Sequence, residues 1–175
     1  MLKEILLYRK GLRVERLHTI PHIQPYSNGH HSANAVLIAD ELCKVNGMNM
    51  EATYKIVIYM AKHDIAEQRF GDMPSDAKAA YPKLSMALKH AEKSWESMYL
   101  PDIPKLLGLS KDIAKCADVI ELIMYCVEEL NMGNRNIIHV IQRCCEMLGV
   151  YVGKVVGIEQ FIEYSSKEVR LNDCK

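Results

Sequence analysis

The stretch AKHDIAEQRFGDMPS, residues 61–75, decides how the rest of the chain is read. It follows TYKIVIYM (53–60), which is apolar enough to be core. It then sets His63 and Asp64 side by side, Glu67 three residues further on, and closes on Gly71-Asp72-Met73-Pro74. A helix that has just buried an apolar face seldom ends in three groups that are costly to desolvate. Two readings stand at this point: a frayed helix end in solvent, or a metal site with a carboxylate beside it.

Working outward, the hydrophobic pattern is helical throughout, without strand-like alternation or internal repeats. Residues 2–9 predict a short amphipathic helix. Residues 12–29, with Pro21, Pro25 and Ser27-Asn28-Gly29, predict mostly loop. Residues 30–45 carry Ala35, Ile38, Ala39 and Leu42 on one face, and Asn46-Gly47 stops them. Residues 50–64 form the next helix, followed by a turn at 71–74, with Ser75 or Asp76 as a cap. Residues 76–98 are helical with a break at Pro82, and 101–109 form a Pro-rich connection. Ser110 is the expected N-cap for a helix over 111–131, ended by Asn131-Met132-Gly133. A last long helix is expected over about 134–165, bent near Gly149 and Gly153, and the tail from 166 reads as polar and loose. The sum is a single all-α domain over 1–175 with five to seven helices.

Composition narrows the function. Lys+Arg and Asp+Glu are both 22, so the net charge is zero, which argues against a nucleic-acid coat or a binder of anionic membranes. No apolar run is long enough to span a bilayer, and Lys3 and Glu4 interrupt the first one, a poor signal peptide. The six cysteines (43, 116, 126, 144, 145 and 174) contain no C-x-x-C pair and fall mostly in apolar periodic segments. They read as reduced core residues of a cytoplasmic protein, in a host cytoplasm if the chain is viral.

The chemistry lies in the polar groups that interrupt apolar faces. His31 begins one such helix, His63 and Asp64 end a second, and Asp118 lies in the middle of a third, in AKCADVIELIMYC. A buried, unpaired carboxylate costs several kcal/mol or shifts its pKa, and a cation relieves that cost. Two imidazoles and two carboxylates suit a divalent ion such as zinc, cobalt, manganese or iron, with magnesium also admissible. Each residue alone has an ordinary structural explanation; the combination on three successive helical segments is more specific.

That ordered set resembles the HD-domain metal-dependent phosphohydrolases. His31-Ser32 through Ala35 and Ala39 resembles their first-histidine helix. The word H-D-x-x-E-x-x-x-G-D-x-P-S, His63 to Ser75, resembles the small 5'-deoxynucleotidases and the related phage deoxynucleoside triphosphohydrolases. The resemblance runs from about residue 12 to 130. It implies metal ligation by His31, His63, Asp64 and Asp118. It implies phosphate binding by Arg16, fifteen residues before His31, by Lys78, fourteen after Asp64, and by Lys115, three before Asp118. His30 stands where the family often has glutamate, and Leu17 stands where the deoxynucleotidases have tryptophan.

Side-chain chemistry fits these assignments. Lys115 and Asp118 share a helix face at i, i+3 spacing. Glu67, one turn beyond Asp64, can orient a water or take its proton, and Asp72 is a second candidate for that task. The base and sugar are expected to meet Leu17, Thr19 and Ile20. The resemblance implies, first, hydrolysis of dATP to deoxyadenosine and triphosphate, which in such phages drains dATP where 2-aminoadenine replaces adenine. The alternative it implies is a deoxynucleoside 5'-monophosphatase, and a third is a catalytically silent nucleotide-binding module. It further implies a homo-oligomer, a dimer or a hexamer.

Overall fold

The computed structural model describes residues 1–173. Among these residues the secondary structure is helical, with one isolated antiparallel bridge, Glu15 to Ser27, closing the loop before the second helix. The order is α1 (Leu2–Gly11), α2 (Asn28–Val45), α3 (Met50–Lys62), α4 (Glu67–Phe70), α5 (Ser75–Ala80), α6 (Pro82–Tyr99) and α7 (Gly108–Asn131). A 3-10 turn (Arg135–Ile137) then leads into α8 (Ile138–Gly149) and α9 (Ile158–Asp173). Seven of these helices have ten residues or more, the upper end of the expected range. The short α4 precedes the expected turn at 71–74, and α5 and α6 are the two parts of the expected 76–98 helix, divided before Pro82.

The core is built around α7, which packs against α2, α3, α8 and α9. Ile113, Cys116, Ala117, Ile120, Ile123, Cys126, Val127 and Leu130 are buried around its circumference, as expected of a helix enclosed on several sides. α2 lays Ala35, Ala39 and Leu42 against it, and α3 adds Ile56 and Met60. Ser27 caps α2 by accepting from the His30 amide, so the helix starts two residues earlier than its apolar pattern. The Asn46 side chain bonds the Leu42 carbonyl, and its oxygen accepts from the Val156 amide, tying the end of α2 to the final segment.

Close approach fixes one further contact. Gly11, the buried end of α1, lies so near Ile65 that a Cβ there would stand 2.9 Å from the Ile65 Cα. The outer face of α1 is open, with Leu2, Ile5 and Leu6 exposed, while Leu7 and Tyr8 are half-buried.

Three boundaries differ from the sequence reading. α7 begins at Gly108, with Leu107 rather than Ser110 at its N-cap. The expected 134–165 helix is two helices, because Gly153 (φ +75°) and Gly157 (φ +96°) take left-handed conformations that end helical winding between them. The polar tail from 166 is part of α9, anchored by buried Ser165 and Val169. Within the 134–165 stretch Ile137, Ile141, Leu148 and Val155 are in the core, whereas Val152 and Val156 are exposed. Cys43, Cys116, Cys126 and Cys144 are buried free thiols and Cys145 is half-buried and free; Cys174 lies outside the described residues.

Candidate metal centre and substrate site

Three helices and one loop deliver the site. α2 supplies His31 from its first turns, fully buried, while its neighbour His30 is exposed and faces the Pro25 carbonyl. The C-terminal end of α3 supplies His63 and, just beyond it, Asp64. α7 supplies Asp118, and the loop after α1 supplies Arg16.

The imidazoles and carboxylates converge. His31 Nε2 lies 3.1 Å from Asp118 Oδ1, and His63 Nε2 lies 3.8 Å from the same oxygen. Asp64 Oδ2 is 3.6 Å from His31 Nε2 and 3.2 Å from His63 Nε2. Yet both Nε2 atoms are buried without a hydrogen-bond partner, because these close approaches are not aligned as hydrogen bonds. The His63 ring is oriented from behind, where its Nδ1–H donates to the Met60 carbonyl at 2.9 Å. Ligand atoms of His31, His63 and Asp118 all fall within 4.8 Å of one another, a donor set and spacing that can hold a divalent ion. Asp64 stands at the edge of that group, where it also accepts from Arg16 Nη1 at 2.5 Å.

The electrostatics tell the same story. Burial works against charging His63, but Asp64 and Asp118 outweigh it and raise the imidazole to about 9. His31 is raised in the same way against burial by Asp118 and Glu121. Burial would raise Asp118, but Lys115 and the two histidines hold it well below the usual carboxylate range. Asp64 is likewise lowered, by His63 and Arg16 against burial. The clustered carboxylates thus favour positive charge at this centre, which a cation held by these residues would supply.

Around this centre, Lys115 Nζ donates to Asp118 Oδ2 at 2.6 Å, and Arg16 Nη1 also donates to Asn28 Oδ1 at 3.1 Å. Glu67 is buried, and its Oε2 accepts from Asn28 Nδ2 at 2.8 Å. Burial first, and the nearby Asp64 charge second, push its carboxyl up to about 7. Asp72 is half-buried after Gly71 (φ +78°) and adds to that upward push. Lys78, half-buried on α5, has no ion pair among the described residues, and its charge reaches Glu92 on α6. Leu17 and Ile20 pack partly against the core, and Thr19 is exposed. Leu17 holds φ +53°, an uncommon conformation for a branched side chain.

Four residues of the site escaped the sequence reading. Asn28 joins Arg16, Glu67 and, at 3.3 Å, the Asp64 carbonyl. Glu121 and Tyr26 lie behind His31. Glu129 accepts from the Ile23 and Gln24 amides, both at 2.7 Å, and fastens the loop to α7. The available signal was spacing: Asp118, Glu121, Tyr125 and Glu129 fall at helical intervals on one side of α7.

An all-helical fold that gathers a histidine, a His-Asp pair and a distant aspartate defines an HD-domain phosphohydrolase. Among solved structures, the PH0347 protein of Pyrococcus horikoshii OT3 is similar over 98% of this chain and 99% of its own, at 19% identity and a TM-score of 0.72. A conserved hypothetical protein of Pyrococcus furiosus aligns over 97% and 99%, at 23% identity and 0.72. The cyanophage S-2L HD phosphohydrolase DatZ, solved with dA and one catalytic Zn2+, aligns over 97% and 96%, at 14% identity and 0.68. No curated protein sequence gives a significant match. Residues 12–169 match the 5'-deoxynucleotidase YfbR-like family, and the chain belongs to that family. It is therefore a metal-dependent deoxynucleotide phosphohydrolase. No helix among the described residues is long and apolar enough to cross a membrane.

Proposed function

We propose that the chain hydrolyses deoxynucleoside 5'-monophosphates to the deoxynucleoside and inorganic phosphate. Charge balance carries the reading. Each basic group beside the centre is matched to one acidic ligand: Arg16 to Asp64 and Lys115 to Asp118. A divalent ion on His31, His63, Asp64 and Asp118 would neutralise the two carboxylates and leave two cations, suited to one phosphate of charge about −2. Such an ion, when bound, lowers the pKa of a water and polarises a phosphoryl oxygen.

The side chains supply the rest. Arg16 presents a planar fork to the phosphate and Lys115 a point charge. Glu67, with a carboxyl near 7, takes a proton from the attacking water at neutral pH. The new P–O bond forms as the bond from phosphorus to the 5' oxygen breaks, and that oxygen leaves with the proton that Glu67 took from the water. Leu17, Thr19 and Ile20 lie on the loop beyond Arg16, where the sugar and base would sit.

Hydrolysis of dATP to deoxyadenosine and triphosphate, the first implication of the sequence, is the second reading here. The observation in its favour is Lys78, half-buried and without an ion pair among the described residues, a charge available to outer phosphates. Product analysis on dAMP, dADP and dATP with Co2+ or Mn2+, and with chelator as control, separates the two. Phosphate released from dAMP supports the proposal. Tripolyphosphate from dATP with dAMP left intact overturns it.

A further inference from the structure

Behind His31 lies a carboxylate that is not part of the ligand set. Glu121 follows Asp118 by three residues on α7 and is 2% exposed. Its Oε2 accepts from His31 Nδ1 at 2.5 Å and from the Tyr26 hydroxyl at 2.5 Å. The two donor atoms sit 3.3 Å apart, so both direct a hydrogen onto one oxygen. An ionised carboxylate only accepts, and a neutral imidazole carries a single ring proton. That proton therefore resides on Nδ1, and the lone pair falls on Nε2, the atom turned toward Asp118 and His63.

We infer that Glu121 is a positioning residue: it holds His31 in the Nδ1–H form, strengthens Nε2 as a metal donor, and passes the same constraint to the substrate arm through Tyr26. The second half rests on contacts of Tyr26. Its carbonyl accepts from the Arg16 amide at 2.9 Å, and the Arg16 guanidinium lies 5.7 Å from the centre of its ring. The same ring stacks on Tyr125 at 3.9 Å between centroids. Metal ligand and phosphate ligand are thus braced by one buried oxygen. The two histidines are unequal, because the Nδ1 of His63 is held by a neutral carbonyl, Met60, rather than by a charge. A carboxylate behind a ligating imidazole raises its basicity, and loss of such a partner typically weakens metal affinity about 10–100-fold.

The inference rests on the metal reading of the site, and the test separates the two. Co2+ is titrated into metal-free wild type and Glu121→Gln, following the visible absorption of the bound ion, with thermal melting of the metal-free forms alongside. Glutamine keeps the shape and one acceptor but removes the charge. The expected result is a Co2+ dissociation constant raised about 10–100-fold with melting little changed. Unchanged affinity in the variant, with wild type binding Co2+, overturns the role of Glu121 alone. Wild type that does not bind Co2+ overturns the metal centre itself. Should the variant fail to fold, nitrogen-15 spectra of the histidines in Zn2+-loaded wild type decide. They should show His31 protonated at Nδ1 and metallated at Nε2, and the opposite tautomer refutes the assignment.

Discussion

Replacing Glu67 with glutamine should abolish turnover and at the same time stabilise the metal-free protein, and the size of that gain should depend on pH. The carboxyl sits at about 7 in the folded chain against an ordinary 4.5, raised by burial and by Asp64. Between those values the folded state binds more protons than the unfolded chain, so raising the pH through that window works against folding. The penalty is absent below 4.5 and complete above about 7. At about 1.4 kcal/mol per pKa unit the shift corresponds to roughly 3 kcal/mol, of which about 2–3 kcal/mol develops between pH 5 and pH 8. Glutamine carries no charge at any pH and can still accept from Asn28 Nδ2 through its amide oxygen. Urea unfolding of both proteins in chelator, at pH 5 and pH 8, measures the effect. The advantage of Glu67→Gln should be about 2–3 kcal/mol larger at pH 8 than at pH 5. An advantage equal at the two pH values, or a loss at pH 8, would refute burial as the source of the raised carboxyl.

Two further outcomes follow from the same geometry. Arg16→Lys keeps the charge but loses the fork that reaches both Asn28 and Asp64; kcat/KM for the monophosphate should fall at least about tenfold, or about 1.4 kcal/mol, and a smaller loss would show that charge alone suffices. Ile123→Ala, at a position with no exposed surface in the middle of α7, should cost about 2–5 kcal/mol in denaturant unfolding while leaving kcat per folded molecule near wild type.

How much of this could be read in the sequence varied with the kind of signal. His63-Asp64 and Asp118 were visible because each interrupts an apolar helix, and the structure brings them together around His31. The buried polar groups behind them were not. Glu128 and Glu129 are adjacent and chemically alike, yet Glu128 is exposed and Glu129 is fully buried, accepting from loop amides. Helical spacing puts Glu129, not Glu128, in phase with Asp118, Glu121 and Tyr125, but the loop amides it meets come from a distant part of the chain. Asn28 read as a turn residue because Ser-Asn-Gly is turn chemistry, and its part in the site depends on Arg16 and Glu67 arriving from other segments. The break between α8 and α9 was half-legible: Gly153 suggested a bend, but a second left-handed glycine, Gly157, turns the bend into a separation.

The contact between Gly11 and Ile65 bears on how such a chain can change over generations. Ile65 directly follows the His-Asp pair, and its Cα stands where a side chain at position 11 would need to be. Drift across the outer face of α1 is cheap, since Leu2, Ile5 and Leu6 meet solvent. The outer face could be exchanged for another sequence, provided the helix still reaches the ligand segment with no β-carbon at its last position. One absent methyl group sets how closely the first helix can approach the ligand segment, and the Leu7 carbonyl and Tyr8 ring, which meet Gln68 and Lys62, hold it there.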